Sequence, residues 1–246
     1  MLRLSTDRKV TPLATLKGGK WYPEVKNTFG LPASHCVGRT EFCDQHCYAE
    51  RIEGYRPNVR KLLEANWEAI KDHLCDFDYL YSELGKLVSE THFFLQRHEV
   101  PKDQWVFRHF WDGDIPTEEF ALAMAKVAED YRDISFWVYT RTFAVVPFLA
   151  ETPNLAVYLS VDRGNVWEAR ACEQQNRWVN LAFCGDTWSE TEELASKFPH
   201  RRKGPRCPEL TKKIPLVNDG MGACVECGLC IKGVNNVRFA ASNRYK

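Results

Sequence analysis

Six cysteines of this chain stand in two tight sets. Cys36, Cys43 and Cys47 are spaced Cys-x6-Cys-x3-Cys, and Cys224, Cys227 and Cys230 are spaced Cys-x2-Cys-x2-Cys, with Cys207-Pro208 upstream of the second set. The chain begins Met1-Leu2-Arg3-Leu4-Ser5-Thr6-Asp7, without the apolar stretch of an export signal, and no apolar run is long enough to span a bilayer. The expected setting is the cytoplasm, where thiols stay reduced unless a metal takes them. The tail spacing matches the first three ligands of the bacterial ferredoxin run, and Cys207-Pro208 echoes its closing Cys-Pro. A [4Fe–4S] cluster is therefore expected there, with zinc on the same thiolate donors as the alternative. The front set offers only three thiolates. A cubane on them keeps one iron free for a substrate, a small molecule or a distant fourth residue. One cluster or two both fit the ligand count. His35 and His46 flank the front set and read as further ligands or, more simply, as exposed or hydrogen-bonded loop histidines, and Cys75, Cys172 and Cys184 read as small core residues.

A second constellation is Phe107-Arg108-His109-Phe110-Trp111-Asp112-Gly113-Asp114. A strand would deliver Arg108 and His109, and a glycine turn would present Asp112 and Asp114 to a ribose, an amino group or a proton in transfer. A capped turn with a surface ion pair is the bland alternative. The catalytic candidates are Arg108, His109, Asp112, Asp114, Arg141 and Asp162. The basic run His200-Arg201-Arg202-Lys203, with Arg206, reads as a solvated loop or a phosphate contact. With 33 basic and 33 acidic residues, no global attraction to nucleic acid is indicated.

These residues need elements to position them. Residues 1–35 lack periodicity, broken by Gly18-Gly19, Pro23, Gly30 and Pro32. Val59, Leu63, Trp67, Ile70 and Leu74 recur at helical spacing, and a second helix is expected over 79–98, ended by Pro101. Strands are expected at 104–110 (QWVFRHF), 134–139 (ISFWVY), 155–161 (LAVYLSV) and 178–183 (WVNLAF). Helices are expected after each of them, the first capped by Thr117. The hydrophobic fraction of 44% suits a chain with a real core, and the eight tryptophans read mainly as core fillers. Four alternations of strand and helix predict an α/β fold: a (β/α) barrel, partial or complete, or alternatively an open doubly wound parallel sheet. One domain over 1–246 is expected, made of an N-terminal segment with the three-cysteine loop (1–50), a helical region (51–100), β/α repeats (104–198) and a Cys-rich tail packed on the barrel (199–246). The polar residues that follow the strands (Asp112 and Asp114, Thr140 and Arg141, Asp162 and Arg163, Asp186) would then meet at one mouth.

Asn27-Thr28-Phe29-Gly30-Leu31-Pro32, the three-thiol loop ending Cys47-Tyr48-Ala49-Glu50, the stretch from Arg108 to Asp114 and the Cys-rich tail together resemble the phage and actinobacterial gene product 88 family. Phe110 stands where that family's element carries a histidine, so His109 inherits no role from it. The family is in turn similar to radical S-adenosylmethionine enzymes. That resemblance implies a radical-SAM-like barrel with a [4Fe–4S] cluster on Cys36, Cys43 and Cys47 in the loop after the first strand. It also implies that Tyr48 packs beside the cluster, and that Asp112, Gly113 and Asp114 hold the amino group of S-adenosylmethionine. The usual enzyme spacing is Cys-x3-Cys-x2-Cys, and both gaps are wider here. Three functions stay open: an iron–sulfur protein that reductively cleaves S-adenosylmethionine on an unknown substrate, a non-enzymatic [4Fe–4S] protein (structural cluster, redox sensor or host-interacting factor), and a zinc-stabilised nucleic-acid-binding module. A host protein or nucleic acid is the partner class, no membrane is expected, and a phage-encoded chain would work in the host cytoplasm.

Overall fold

A computed structural model describes residues 1–12, 15–17, 20–22, 25–149, 151–233 and 235–241. Gly18-Gly19 and Pro23 lie outside the described residues. A short hairpin, β1 (Thr15–Lys17) and β2 (Lys20–Tyr22), stands apart from the main sheet. Four helices follow: α1 (Glu41–His46), α2 (Tyr48–Tyr55), α3 (Pro57–Ile70) and α4 (Phe77–Arg97). The β/α unit runs β3 (Val106–Arg108), α5 (Glu118–Asp130), β4 (Ser135–Thr140), α6 (Val146–Leu149), β5 (Leu155–Val161), α7 (Val166–Gln175), β6 (Asn180–Gly185) and α8 (Trp188–Ser196). In the tail, the two-residue strands β7 (Val217–Asn218) and β8 (Met221–Gly222) lead into α9 (Ala223–Cys227), α10 (Leu229–Lys232) and β9 (Val237–Ala240).

The strands pair in parallel in the order β3-β4-β5-β6-β9, which is the order of the chain. A doubly wound sheet reverses its order at a switch point, and this one never does. Right-handed crossovers without reversal put α5, α6, α7 and α8 on one face. The sheet curls into an open half-barrel, and among the described residues β3 and β9 do not pair to close it. On the outer edge of β3, Thr28 forms a parallel bridge to Arg108 and an antiparallel one to Ser5, so residues 27–29 act as a rudimentary further strand.

Side chains alternate across the sheet with the period of two that a pleated strand dictates. Phe107, Phe136, Val138, Val157, Leu159, Leu181 and Phe183 face the helices and join one large core with α4, α5, α7 and α8. Val106, Trp137, Tyr158, Ala182 and Val237 face the other way. None of α5 to α8 covers that inner face. Val10 covers it together with the tail residues Cys207, Cys224, Val225, Cys230 and Ile231. Burying each large apolar side chain is worth roughly 1.5–3 kcal/mol, so the tail contributes to the core as well as carrying thiols.

The basic run fixes the tail from outside. Glu173 on α7 has a fully buried side chain and faces Arg177 at 3.0 Å, His200 at 3.0 Å and Arg201 at 2.7 Å. Glu192 on α8 likewise faces Arg238 at 2.8 Å, Lys203 at 3.5 Å and Arg206 at 3.6 Å. These cations neutralise the protein's own carboxylates, and the structure gives the run an internal role.

His109 continues the helix-facing row. It is fully buried, stacked 19° from the plane of Phe136 and 5.0 Å from the Phe107 ring centre, and neither ring nitrogen has a hydrogen-bond partner among the described residues. Burial lowers its pKa from 6.5 to about 3, so it is a neutral core ring at ordinary pH.

Two predictions follow from this packing. His109→Met removes two unsatisfied nitrogens, and urea titration at pH 7 should show stability unchanged or raised by about 1–2 kcal/mol. Below pH 6.5 the unfolded wild type gains a proton that the folded ring refuses until about pH 3. The advantage of the variant should therefore widen by about 1.4 kcal/mol per pH unit on acidification. Glu173 behaves oppositely. Burial raises its pKa, but hydrogen bonds from Arg201 and His200 outweigh that and hold it below 4.5. Glu173→Gln should cost about 1–3 kcal/mol at pH 7, and that cost should shrink as the pH falls below 4.5, where Glu173 of the unfolded wild type takes up a proton that the folded carboxylate still refuses.

Candidate functional site

The three-cysteine loop leaves the rudimentary strand at residues 27–29 and crosses the carboxyl ends of the main strands. Its position is set by Gly38, whose absent Cβ would lie 2.2 Å from the Arg141 carbonyl oxygen at the end of β4. Thr40 precedes α1 and donates to Asp162 Oδ2 at 2.7 Å, and its hydroxyl also lies 3.6 Å from Cys43 Sγ. At the other end of α1, His46 Nε2 stands 2.6 Å from Asp186 Oδ1, just past β6. Cys47 closes α1 and opens α2, accepting from the Glu50 amide at 3.5 Å. His35 stacks on Trp67 with ring centres 3.8 Å apart and takes no part in the thiol set.

The tail thiols are carried by two short helices joined at the left-handed Gly228, the sharp reversal that the Cys-x2-Cys-x2-Cys spacing needs. Cys207 joins them because its amide donates to the Arg238 carbonyl at 3.0 Å along the edge of β9. Cys207 and Cys227 act on the ionisation of Cys230, and Cys230 acts on that of Cys224. Cys43 and Cys47 act in the same way on Cys36.

Both sets open onto one cavity of about 1780 Å³ over the inner face and carboxyl edge of the sheet. It is lined by Cys36, Cys43, Cys47, Cys207, Cys224, Cys227 and Cys230, and also by Cys184 of β6. Among the described residues, no group of three or more His, Cys, Asp and Glu side chains is drawn tightly enough together to hold a metal ion as placed. Cys75 is exposed and Cys172 is buried in the helical core, both away from the cavity.

Arg108 lies between the two sets. Its guanidinium pairs with Asp7 at 2.7 Å and donates to the Tyr48 hydroxyl at 3.1 Å, and its charge acts on both Cys224 and Cys230. Tyr48, the residue after Cys47, donates in turn to the Trp111 carbonyl at 2.5 Å. Arg108 Nε is buried without an acceptor among the described residues.

Burial raises the pKa of Cys36, and Asp114, Cys47 and Asp112 add to the rise. Burial also raises Cys47, Cys207 and Cys224, and it pushes Cys230 up to about 12 against the hydrogen bond from Tyr139. Without a cation these thiols are neutral at ordinary pH. A metal would take the place of several protons at once.

The glycine turn is built as an anchor. Asp114 accepts from the Ile115 amide at 2.8 Å and from the Arg141 amide at 2.7 Å, so it joins the β3 and β4 loops. Asp112 Oδ1 accepts from the Gly113 amide at 2.8 Å, while its Oδ2 is buried with no partner among the described residues. Burial first, and then the neighbouring Glu53, push the Asp112 pKa up to about 8. Gly113 has φ +79°, and a Cβ there would meet the Leu31 carbonyl oxygen at 2.6 Å, so the close approach is to backbone. Arg141 pairs with Asp162 and donates to the Ser160 carbonyl at 3.1 Å. The structure thus brings Arg108, Asp112, Gly113, Asp114 and Arg141 to the cavity wall, with Asp162 behind Arg141. His109 stays on the far side of the sheet and Arg163 is turned out toward Gln45. Cys184 was legible only from the period of two on β6, which places it on the same face as Ala182.

No helix among the described residues is long and apolar enough to cross a membrane. No solved structure matches the chain. The chain is 35% identical over 249 residues to the Gene 88 protein of Mycobacterium phage L5, covering 99% of each. It is 34% identical over 250 residues to the Gene 88 protein of Mycobacterium phage D29, again covering 99% of each. The family model described as Gene product 88 matches residues 2–233, which takes in the front thiol loop, the β/α unit and the cysteines of the tail, and the chain belongs to that family.

Proposed function

We propose that this is an iron–sulfur protein that holds [4Fe–4S] clusters on the cysteines facing its central cavity. The observation that carries the reading is the meeting of thiols from two distant stretches of chain at one cavity, in two mutually interacting sets. Cys207, Cys224, Cys227 and Cys230 supply a complete four-thiolate set for one cluster. Cys36, Cys43 and Cys47 begin a second. Such clusters supply one-electron storage and transfer. The protein's own contribution is electrostatic. Arg108 offsets negative charge at the tail set, Tyr139 donates to Cys230, and the Glu50 amide donates to Cys47. Hydrogen bonds and cations at cluster sulfurs raise reduction potentials.

A second reading is supported by Asp112. Its unpartnered Oδ2 lines the same cavity as the front thiols, and an ammonium group would supply the missing donor. With S-adenosylmethionine bound, the front cluster would supply the electron for reductive cleavage, while Asp112 and Asp114 hold the amino end and Arg141 the carboxylate. Zinc with nucleic acid is the weakest reading, because the basic run is spent on Glu173 and Glu192.

Protein purified without oxygen should be brown, with about four or eight irons and as many acid-labile sulfides per chain. Cys230→Ser should remove about half of an eight-iron content. A colourless preparation, or zinc alone, overturns the reading. Loading should strengthen as the pH rises toward the raised thiol pKa values, because each ligating sulfur must lose a proton. For the second reading, strongly reduced protein given S-adenosylmethionine should release 5′-deoxyadenosine, and Asp112→Asn should lower the yield at least tenfold. An intact cluster with no product leaves the non-enzymatic reading standing.

A further inference from the structure

The front set has three thiols in the sequence, and the fold brings Cys184 to the same cavity. We propose that Cys184 is the fourth thiolate of the front group, with Cys36, Cys43 and Cys47. This inference rests on the proposed iron–sulfur function and decides what occupies the remaining iron.

Helix geometry makes the first half of the argument. Positions three and four apart share a helix face. Cys43 and His46 therefore share a face of α1, and the hydroxyl of Thr40, the residue before the helix, lies 3.6 Å from Cys43 Sγ. On either side of Cys43, Thr40 donates to Asp162 at 2.7 Å and His46 Nε2 stands 2.6 Å from Asp186 Oδ1. Asp162 immediately follows β5, and Asp186 immediately follows β6. Cys43, between the two ties, is held toward the carboxyl ends of those neighbouring strands.

The sheet makes the second half. Ser160 pairs with Ala182 in the β5–β6 register, so the next inward-facing rung carries Asp162 and Cys184. Cys184 is half-buried, lines the cavity and lies in the span closed by the two ties of α1. Arg141 gives an independent measure of proximity. Its guanidinium pairs with Asp162 and sits within electrostatic reach of both Cys184 and Cys43. It would place a positive charge beside sulfurs of the cluster. Cys184 is thus one of four thiols brought to a common wall by separate elements. The two other isolated cysteines do not reach that wall.

Controlled oxidation tests the assignment. A cubane with one iron not bound to a protein sulfur sheds that iron when oxidised. Ferricyanide takes one electron, one Fe²⁺ leaves, and a [3Fe–4S]⁺ cluster with a sharp electron paramagnetic resonance signal remains. Full-length wild-type protein, reconstituted anaerobically with iron and sulfide, should give little of this signal on brief ferricyanide treatment. Cys184→Ser should give it at close to one spin per chain, as should Cys36→Ser, whereas Cys75→Ser should behave as wild type. If wild type itself gives the signal at that level, the front cluster has a free iron and the assignment falls, and this measurement needs no variant to fold. If Cys184→Ser keeps its cluster content and resists oxidation like wild type, the assignment also falls. Failure of the wild type to bind iron and sulfide at all would overturn the iron–sulfur reading itself, an outcome distinct from either of these.

Discussion

A parallel sheet has to be covered on both faces, and the helices α5 to α8 of this one cover only one. Because strand order follows chain order, α5, α6, α7 and α8 all pack on the same side. The opposite face exposes Val106, Trp137, Tyr158, Ala182 and Val237 to whatever the rest of the chain can bring. What it brings is Val10 from one end and the cysteine-bearing helices from the other. Packing and thiol placement are therefore one event. The same contact that keeps water from Trp137 and Tyr158 puts Cys224 and Cys230 at the wall of the cavity.

The electrostatics of that wall turn on whether its thiols carry their protons. Arg108 is the buried charge shared by the two thiol sets, and it is already paired with Asp7. A buried pair of this kind returns little net stability, because desolvation cancels much of the Coulomb gain. Its value lies in place: one guanidinium touches Tyr48, next to the front set, and acts on Cys224 in the tail set. Neutral thiols tolerate burial, and thiolates do not unless metal or arginine compensates them. The cavity is thus electrically quiet with protons on sulfur and becomes strongly charged only when those protons leave.

Much of this was legible from residue order. The strand at 155–161 was read with its observed bounds, because seven consecutive apolar or small residues leave no helical alternative. The strands at 134–139 and 178–183 fell one and two residues early at each end. The long helices were readable from their apolar spacing, and Thr117 caps α5 with a 3.3 Å bond as its type and position suggest. The fifth strand was not read, since VRFA is too short a run to stand out behind a cysteine cluster. His109 and Arg108 are neighbours with the same apparent promise, yet the pleat sends them to opposite faces. Sequence alone gives that alternation but not which face is which. The basic run was misleading for a related reason: its partners, Glu173 and Glu192, lie on other helices and meet it only after folding. Cys184 was read as core filler because nothing local marks the end of β6 as the edge of a cavity.

The position of β9 has a consequence for biosynthesis. It is last in the sheet and comes after every other strand in the chain, so a ribosome releases the four preceding strands and their helices before the inner face can be closed. Until then the nascent half-barrel presents a broad aromatic surface to the host's chaperones. Closure of this sheet therefore waits on the last residues to be translated.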